Sequence, residues 1–387
     1  MKRVCLISSS FYPATFYGGP ISATWDLSRR LSEKDIQMYI STTNANGISR
    51  LNVETNKFIQ KDSNLFVKYY HEEVINKFSF AFICGIWSDI KNADIVYIQY
   101  LFHYTVLFSL LFCVFQRKRI IICPRGSFSL FTLSNRIPFL KRVWINLLIK
   151  PFHRIIEWQA SSNLEKNDIK RTFPDASIYV INDAVDFRSF QDFEIFDRVK
   201  LLEKYTKTKF KNVSYVFFSM GRLHAIKNFD VLIHAFSLFV KDHKEAKFII
   251  AGGNDGVEYK LRQQILDLEL ENSVFLIGAI NFEDKKILLN NCDYFSLASD
   301  FESFGLVVAE ALCCGKPVVV SDKTPWKDLQ QNQCGILTNN DEISFYKAML
   351  KVIELNYDTK IIKDYVVANY DWSIIVNKFL NFINKKG

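Results

Sequence analysis

With 387 residues, 49% of them hydrophobic and 23% charged, the chain has an ordinary globular balance and room for about two domains, without a low-complexity or disordered tract. Eight cysteines form no CxxC pair, and Cys313 and Cys314 are adjacent, which excludes a zinc ribbon and a disulfide framework and fits reduced thiols. The net charge of +8 is uneven: residues 1–190 hold 24 Lys and Arg against 15 Asp and Glu, whereas residues 191–387 hold 25 against 26.

The first half alternates short apolar runs with helical patterns. Strands are expected over 4–8, 37–41, 95–99 and 120–123, and a helix over 21–31, the alternation of a parallel α/β sheet. The first strand follows Met1 at once, and a run this short is no secretory signal, so the protein is expected on the cytosolic side. Tyr17-Gly18-Gly19-Pro20 stands between the first strand and the first helix; adjacent glycines let a ligand approach the backbone, and proline suits a first helical turn. On its own, the motif is equally a tight turn. The apolar run 101–115 is interrupted by His103 and falls short of the roughly 20 residues that cross a bilayer, so it reads as a buried helix or a surface that meets lipid. His103 is expected in a strand-end loop facing the ligand side of this domain.

From Arg117 to Ile156 nine Lys and Arg side chains occur without an acidic one, interleaved with Phe128, Phe131, Phe139, Trp144 and Phe152. Such a face attracts anionic lipid headgroups and nucleic acid alike, or is a solvated helical face whose apolar side lies in the core.

A second strand series is expected over 215–219, 247–251, 274–277, 294–297 and 317–321, with helices between, so two doubly wound domains follow, joined within 183–212. Ligands of such domains bind at the carboxyl ends of the strands, in a cleft that the two sheets face. After the first of these strands, Gly221 permits a turn flanked by Arg222 and Lys227, two cations suited to a diphosphate or to a salt-bridged loop. Gly252-Gly253-Asn254-Asp255-Gly256 follows the next strand but is no GxGxxG fingerprint, and no Walker A, DxD or HExxH sequence is present. Residues 306–314 read as a helix ended by Gly315 and Pro317. Glu310 lies inside it among apolar neighbours, where an ionised carboxylate is expensive unless paired or facing a polar ligand. Glu302 precedes the turn Ser303-Phe304-Gly305 that opens this helix, and a helix N-terminus favours an anion. Residues 365–383 carry the spacing of one terminal helix.

Together these motifs resemble the retaining glycosyltransferases of family 4, which have the GT-B fold: Glu302 to Glu310 matches the E-x7-E element, Gly221-Arg222-Leu223 with Lys227-Asn228 the diphosphate element, and Gly18-Gly19-Pro20 the first glycine loop. The resemblance implies an α/β GT-B architecture: a Rossmann-like acceptor-binding domain over 1–185, a Rossmann-like nucleotide-sugar-binding domain over 186–364, and a C-terminal helix, 365–387, returning to the first domain. It implies transfer of a sugar from a nucleotide diphosphate donor with retention and without a metal or other cofactor. Arg222, Lys227 and Glu302 would then be catalytic. Glu310 would accept the ribose hydroxyls, and Ser303, Phe304, Gly305, Leu306, Gly18, Gly19 and Gly278 would contact the donor. Where many members carry an HxH-like pattern this chain has Tyr97-Ile98-Gln99, so the sugar-contacting histidine is missing or displaced, with His103 as the candidate replacement. Pro124-Arg125-Gly126 resembles the variant of members that build bacterial surface polysaccharides, with Arg125 facing the acceptor. This subgroup implies an undecaprenyl-diphosphate-linked oligosaccharide acceptor in O-antigen or capsule synthesis, work at the inner face of the cytoplasmic membrane on an anionic surface, and no nucleic-acid partner. The rivals are a sugar-nucleotide epimerase or hydrolase on the same fold and a non-catalytic partner of polysaccharide assembly.

Overall fold

The computed structural model describes residues 1–14, 18–74, 78–135, 137–191 and 193–385, so Tyr17 of the first glycine motif lies outside the described residues. The chain forms two compact units, Met1–Asp183 with Ser373–Gly387, and Ala184–Trp372.

In the first unit eight strands follow the order Ser177–Val180, Ile156–Ala160, Arg119–Cys123, Ile95–Gln99, Lys2–Ile7, Ile36–Thr43, Leu65–Tyr70 and Phe58–Asp62. The first strand is parallel to both neighbours, with Val4 opposite Met38 and Ile95. Its Val4, Cys5, Leu6 and Ile7 are all inaccessible, as a parallel strand covered on both faces requires. One departure from the expected all-parallel sheet is the edge strand Phe58–Asp62, which pairs antiparallel with Leu65–Tyr70. Gln60, Lys61 and Asp62 of that strand are exposed, which blunts a free sheet edge.

In the second unit six parallel strands follow the order Val274–Leu276, Lys247–Ala251, Val216–Met220, Tyr294–Leu297, Val318–Ser321 and Gly335–Thr338. Adjacent residues serve opposite faces. Phe218, Ile249, Phe295, Val318 and Val320 enter one apolar core, while Phe217, Phe248, Ile250 and Val319 enter the other.

The single terminal helix expected over 365–383 is two helices, Thr359–Tyr370 and Trp372–Asn384. Asp371 breaks the run in an extended conformation (φ −64°, ψ 147°), and its neighbour Tyr370 gives its carbonyl to the Val185 amide at 3.0 Å. The last helix returns to the first unit: the Phe379 ring packs at a tilt on Tyr97 (5.2 Å between centroids) and that of Phe382 on Tyr179 (4.3 Å). Lys2 donates to the carbonyl of Ile383 at 2.9 Å. Arg119 pairs with Glu157 at 2.6 Å and also donates to the carbonyls of Phe382 and Ile383.

Candidate donor site in the second unit

Topology selects the place. Val216–Met220 lies between Lys247–Ala251 on one side and Tyr294–Leu297 on the other, so the connections leaving it and Tyr294–Leu297 diverge and leave a crevice at the strands' carboxyl ends. The Gly221 and Leu223 amides donate to the carbonyls of Ala251 (3.0 Å) and Gly253 (2.9 Å), fixing the loop that carries Arg222. A Cβ on Gly252 would lie 1.8 Å from the Gly221 carbonyl oxygen, so only glycine lets these two loops pass. Arg222 donates from Nη1 to Asp255 Oδ2 at 2.5 Å, with both side chains partly in solvent (54% and 34% exposed).

Lys227 ends a single 3-10 turn, Ala225–Lys227, which His224 caps by accepting the Ile226 amide at 3.1 Å. From there Lys227 Nζ donates to Glu302 Oε1, an oxygen that also accepts from Ser299 Oγ at 2.7 Å. The Asp300 amide donates to the Ile226 carbonyl at 2.9 Å, so the loops after Val216–Met220 and Tyr294–Leu297 are tied by backbone as well as by charge.

Three residues beyond Glu302, Gly305 takes φ +83° and begins the helix Leu306–Cys313, which has no side-chain cap at its N-terminus. The start of the helix is held from behind: Trp326 Nε1 donates to the Phe304 carbonyl at 2.8 Å, and the Phe304 ring is buried against Trp326 and Tyr370. Phe304 therefore offers a ligand its backbone, not its ring, and Ser303 stands in the same loop. The uncapped amides and the positive end of the helix dipole make this turn an anion-binding end. Deeper in the helix, Glu310 is buried and its Oε1 accepts from Lys285 Nζ at 2.5 Å. Gly278 takes φ +77°, accepts the Gly252 amide at 2.8 Å through its carbonyl, and has open space where a side chain would be.

Of the expected residues of the first unit, Gly18, Gly19 and His103 follow the two strands at its own switch point, Lys2–Ile7 and Ile95–Gln99, and Arg125 follows the next strand, Arg119–Cys123. Gly18 (φ 78°, ψ −153°) precedes the helix Gly19–Ser32, with Gly19 and Pro20 in its first turn. His103 stands in the loop after the strand Ile95–Gln99, as expected, and caps the helix Tyr104–Phe115: its Nδ1 faces the Thr105 hydroxyl at 2.9 Å, and burial lowers its pKa to about 4. Arg125, expected to present its guanidinium to an acceptor, is instead 3% exposed and engaged with Asp183 and, at 3.0 Å, with Gln99. Burial opposes its charge, but the Asp183 carboxylate outweighs that and holds its pKa well above the ordinary value. Glu165, also buried, supports this loop by accepting the Gly126 amide at 2.5 Å.

Among the described residues no group of three His, Cys, Asp or Glu side chains is placed to hold a metal ion, and no helix is long and apolar enough to cross a membrane. The partners Asp255, Lys285, Ser299, Asp183, Gln99 and Glu165 were not singled out as site residues by sequence pattern. Asp255 lay in the noted Gly252–Gly256 loop, but Lys285 lies 25 residues from Glu310 and carries no local signal.

Residues 203–366 match the family model described as Glycosyl transferases group 1. Among curated proteins, the chain is 31% identical over 113 residues to the mannosylfructose-phosphate synthase of Agrobacterium fabrum, covering 27% of this chain and 25% of that protein. It is 27% identical over 262 residues to the phosphatidylinositol N-acetylglucosaminyltransferase GPI3 subunit of Saccharomyces cerevisiae, covering 65% of this chain and 54% of that protein. The chain thus spans between a quarter and about half the length of these relatives. Anabaena Alr3699/HepE, solved with UDP and glucose, superposes with a TM-score of 0.76 at 17% identity over 100% of both chains. WaaG, a glycosyltransferase involved in lipopolysaccharide biosynthesis, superposes with a TM-score of 0.71 at 11% identity over 99% of this chain and 100% of that one. The fold is that of the two-domain GT-B glycosyltransferases. The group 1 match, which falls on the unit holding Arg222, Lys227, Glu302 and Glu310, supports the glycosyltransferase class.

Proposed function

We propose that the protein is a retaining, metal-independent glycosyltransferase that moves a sugar from a nucleotide diphosphate donor to a lipid-linked oligosaccharide at the inner face of a bacterial membrane, in O-antigen or capsule synthesis. The observation that carries the donor half is the closure of the second unit's switch point by Lys227 and Glu302, beside the uncapped helix at Gly305. In this reading the diphosphate displaces Asp255 from Arg222, because a partly solvated ion pair holds its partners weakly. Lys227 keeps Glu302 and turns another of its three N–H donors to a phosphate oxygen. The two cations and the helix dipole then meet the charge that develops on the departing diphosphate. Glu302 holds hydroxyls of the transferred sugar, Glu310 those of the ribose, and Gly278 lies beside the base.

The likeness in fold to WaaG, a glycosyltransferase involved in lipopolysaccharide biosynthesis, motivates the surface-polysaccharide setting, and the first unit's surface supports a lipid-borne acceptor: Leu130, Ile137, Phe139, Leu140 and Leu147 are exposed within the basic segment. The test is the thermal midpoint of the purified protein with UDP, GDP, ADP and CMP and their sugar conjugates, repeated on Arg222→Ala. A ligand that binds only the native state raises the midpoint by mass action. A rise with one nucleotide, lost in the variant, is the expected result. No rise with any of them in a folded sample overturns the donor assignment, and full donor turnover without acceptor makes the protein a hydrolase or epimerase.

A further inference from the structure

The helix Leu306–Cys313 is buried and apolar, and Glu310 is its one ionisable carboxylate. Its two oxygens differ. Oε1 accepts from Lys285 Nζ at 2.5 Å, whereas Oε2 is buried with no hydrogen-bond partner among the described residues. An ionised carboxylate only accepts, so a buried bare oxygen calls for a hydroxyl or N–H donor from a ligand. Lys285 is itself held in place. It sits in the first turns of the helix Phe282–Asn291, which Asn281 caps at 2.8 Å. Its Nζ lies 5.0 Å from the Phe282 ring centroid and 5.7 Å from that of Phe190, and its side chain is 16% exposed.

We propose that Lys285 is a positioning residue that determines specificity: by engaging Oε1 and fixing the carboxylate it leaves Oε2 as the unpartnered oxygen, so that the site holds one of the two ribose hydroxyls more strongly than the other. This rests on the reading of Glu310 given above. A carboxylate with both oxygens free accepts from a vicinal diol symmetrically; one held on a lysine does not. The inference concerns which hydroxyl pattern the donor presents, and the chemical class it selects is a nucleoside diphosphate with one ribose hydroxyl held more strongly than the other.

The experiment is equilibrium binding of UDP and GDP, each beside its 2′-deoxy and 3′-deoxy forms, to the wild type, Lys285→Met and Lys285→Arg. In the wild type one deoxy form is expected to bind about tenfold more weakly than the other, the scale of one hydrogen bond to a charged group. In Lys285→Met, which keeps the packing against the two phenylalanines, the two deoxy forms are expected within about twofold of each other. Lys285→Arg, which keeps a donor, is expected to restore the asymmetry. A purely structural ion pair would weaken all three ligands alike in Lys285→Met, and that result overturns the proposal, as does equal binding of both deoxy forms by the wild type. Binding of neither UDP nor GDP nor their analogues to the wild type overturns the donor reading itself. Lys285→Ala, measured in parallel, serves if the methionine variant does not fold.

Discussion

Arg222 and Lys227 carry the same charge but meet their carboxylates in different surroundings, and the difference separates stability from activity. The Arg222 and Asp255 side chains are 54% and 34% exposed, so the pair contributes at most about 1 kcal/mol to stability. Lys227 and Glu302 are 17% and 13% exposed, and removing the lysine leaves Glu302 Oε1, among the described residues, with Ser299 alone. Arg222→Ala is therefore expected to leave the thermal midpoint within a few degrees of wild type and to cut turnover by about a hundredfold, the scale of losing one electrostatic contact in the transition state. Lys227→Ala is expected to lower both. Turnover with a sugar-nucleotide donor, measured beside a melting curve, decides it, and an Arg222→Ala enzyme with wild-type turnover removes that residue from the donor site. The spacing Glu302 to Glu310 and the pair Arg222 and Lys227 were legible in the sequence because the turn and helix that place them are local. Asp255 and Lys285 were not, since each meets its partner only after the strand order is set.

At the scale of elements, the strands over 95–99, 247–251 and 294–297 were legible to the residue, because a parallel strand buried on both faces is a continuous apolar run. Gly335–Thr338 was not, because this edge strand opens on a glycine, closes on a threonine and is only half-buried in its second half, so it carries no continuous apolar run. The expected terminal helix failed for the opposite reason: the apolar period passes through Asp371 without interruption, while the backbone there is extended. His103 is the element-scale case with a pH signature. The helix Tyr104–Phe115 begins on its ring, which burial keeps neutral with a pKa of about 4 against an ordinary 6.5. A depressed pKa means that the folded chain resists protonation. Its contribution is complete above pH 6.5 and is lost as pH falls toward 4, a difference of about 3 kcal/mol. His103→Asn keeps a capping side chain but cannot titrate. Its thermal midpoint is expected to fall less than that of wild type between pH 7 and pH 4.5. Parallel curves for the two proteins would show that the imidazole is not protonated on unfolding in this range.

At the scale of the whole molecule, the charge excess belongs to residues 1–190, and its densest stretch, from Arg117 to Ile156, did not resolve into a uniform basic face. Several of its cations are engaged within the protein: Arg119 by Glu157, Arg125 by Asp183, and Lys118 by the carbonyls of Lys91 and Ala93, whereas Arg154 meets Asp175 in a surface pair and stays 78% exposed. Lys141 is likewise turned to the carbonyls of Thr132 and Asn135. Sequence counts cannot separate a paired arginine from a solvated one, because pairing depends on which strands become neighbours. The apolar part of the segment is more exposed than its periodicity implied. Phe139 is 75% exposed, with Leu147, Leu130 and Leu140 also in solvent, on the helices Leu130–Ser134 and Pro138–Trp144 and the single π turn Ile145–Ile149, and Ile137 exposed just before the second helix. If this surface docks to a bilayer as proposed, insertion of side chains contributes more than charge, since among the described residues about half of the cations are engaged within the protein while the apolar side chains stand in solvent. Phe139→Ser with Leu147→Ser is then expected to weaken binding to vesicles containing anionic phospholipid by about tenfold or more, on the scale of about 1.5–3 kcal/mol for each large apolar side chain. Arg142→Gln with Lys150→Gln is expected to weaken it less, and chiefly at low salt. Flotation or sedimentation with vesicles at two salt concentrations measures both. Equal loss from the two double variants would return the dominant role to charge, and unchanged binding in both would mean that this surface does not meet the membrane.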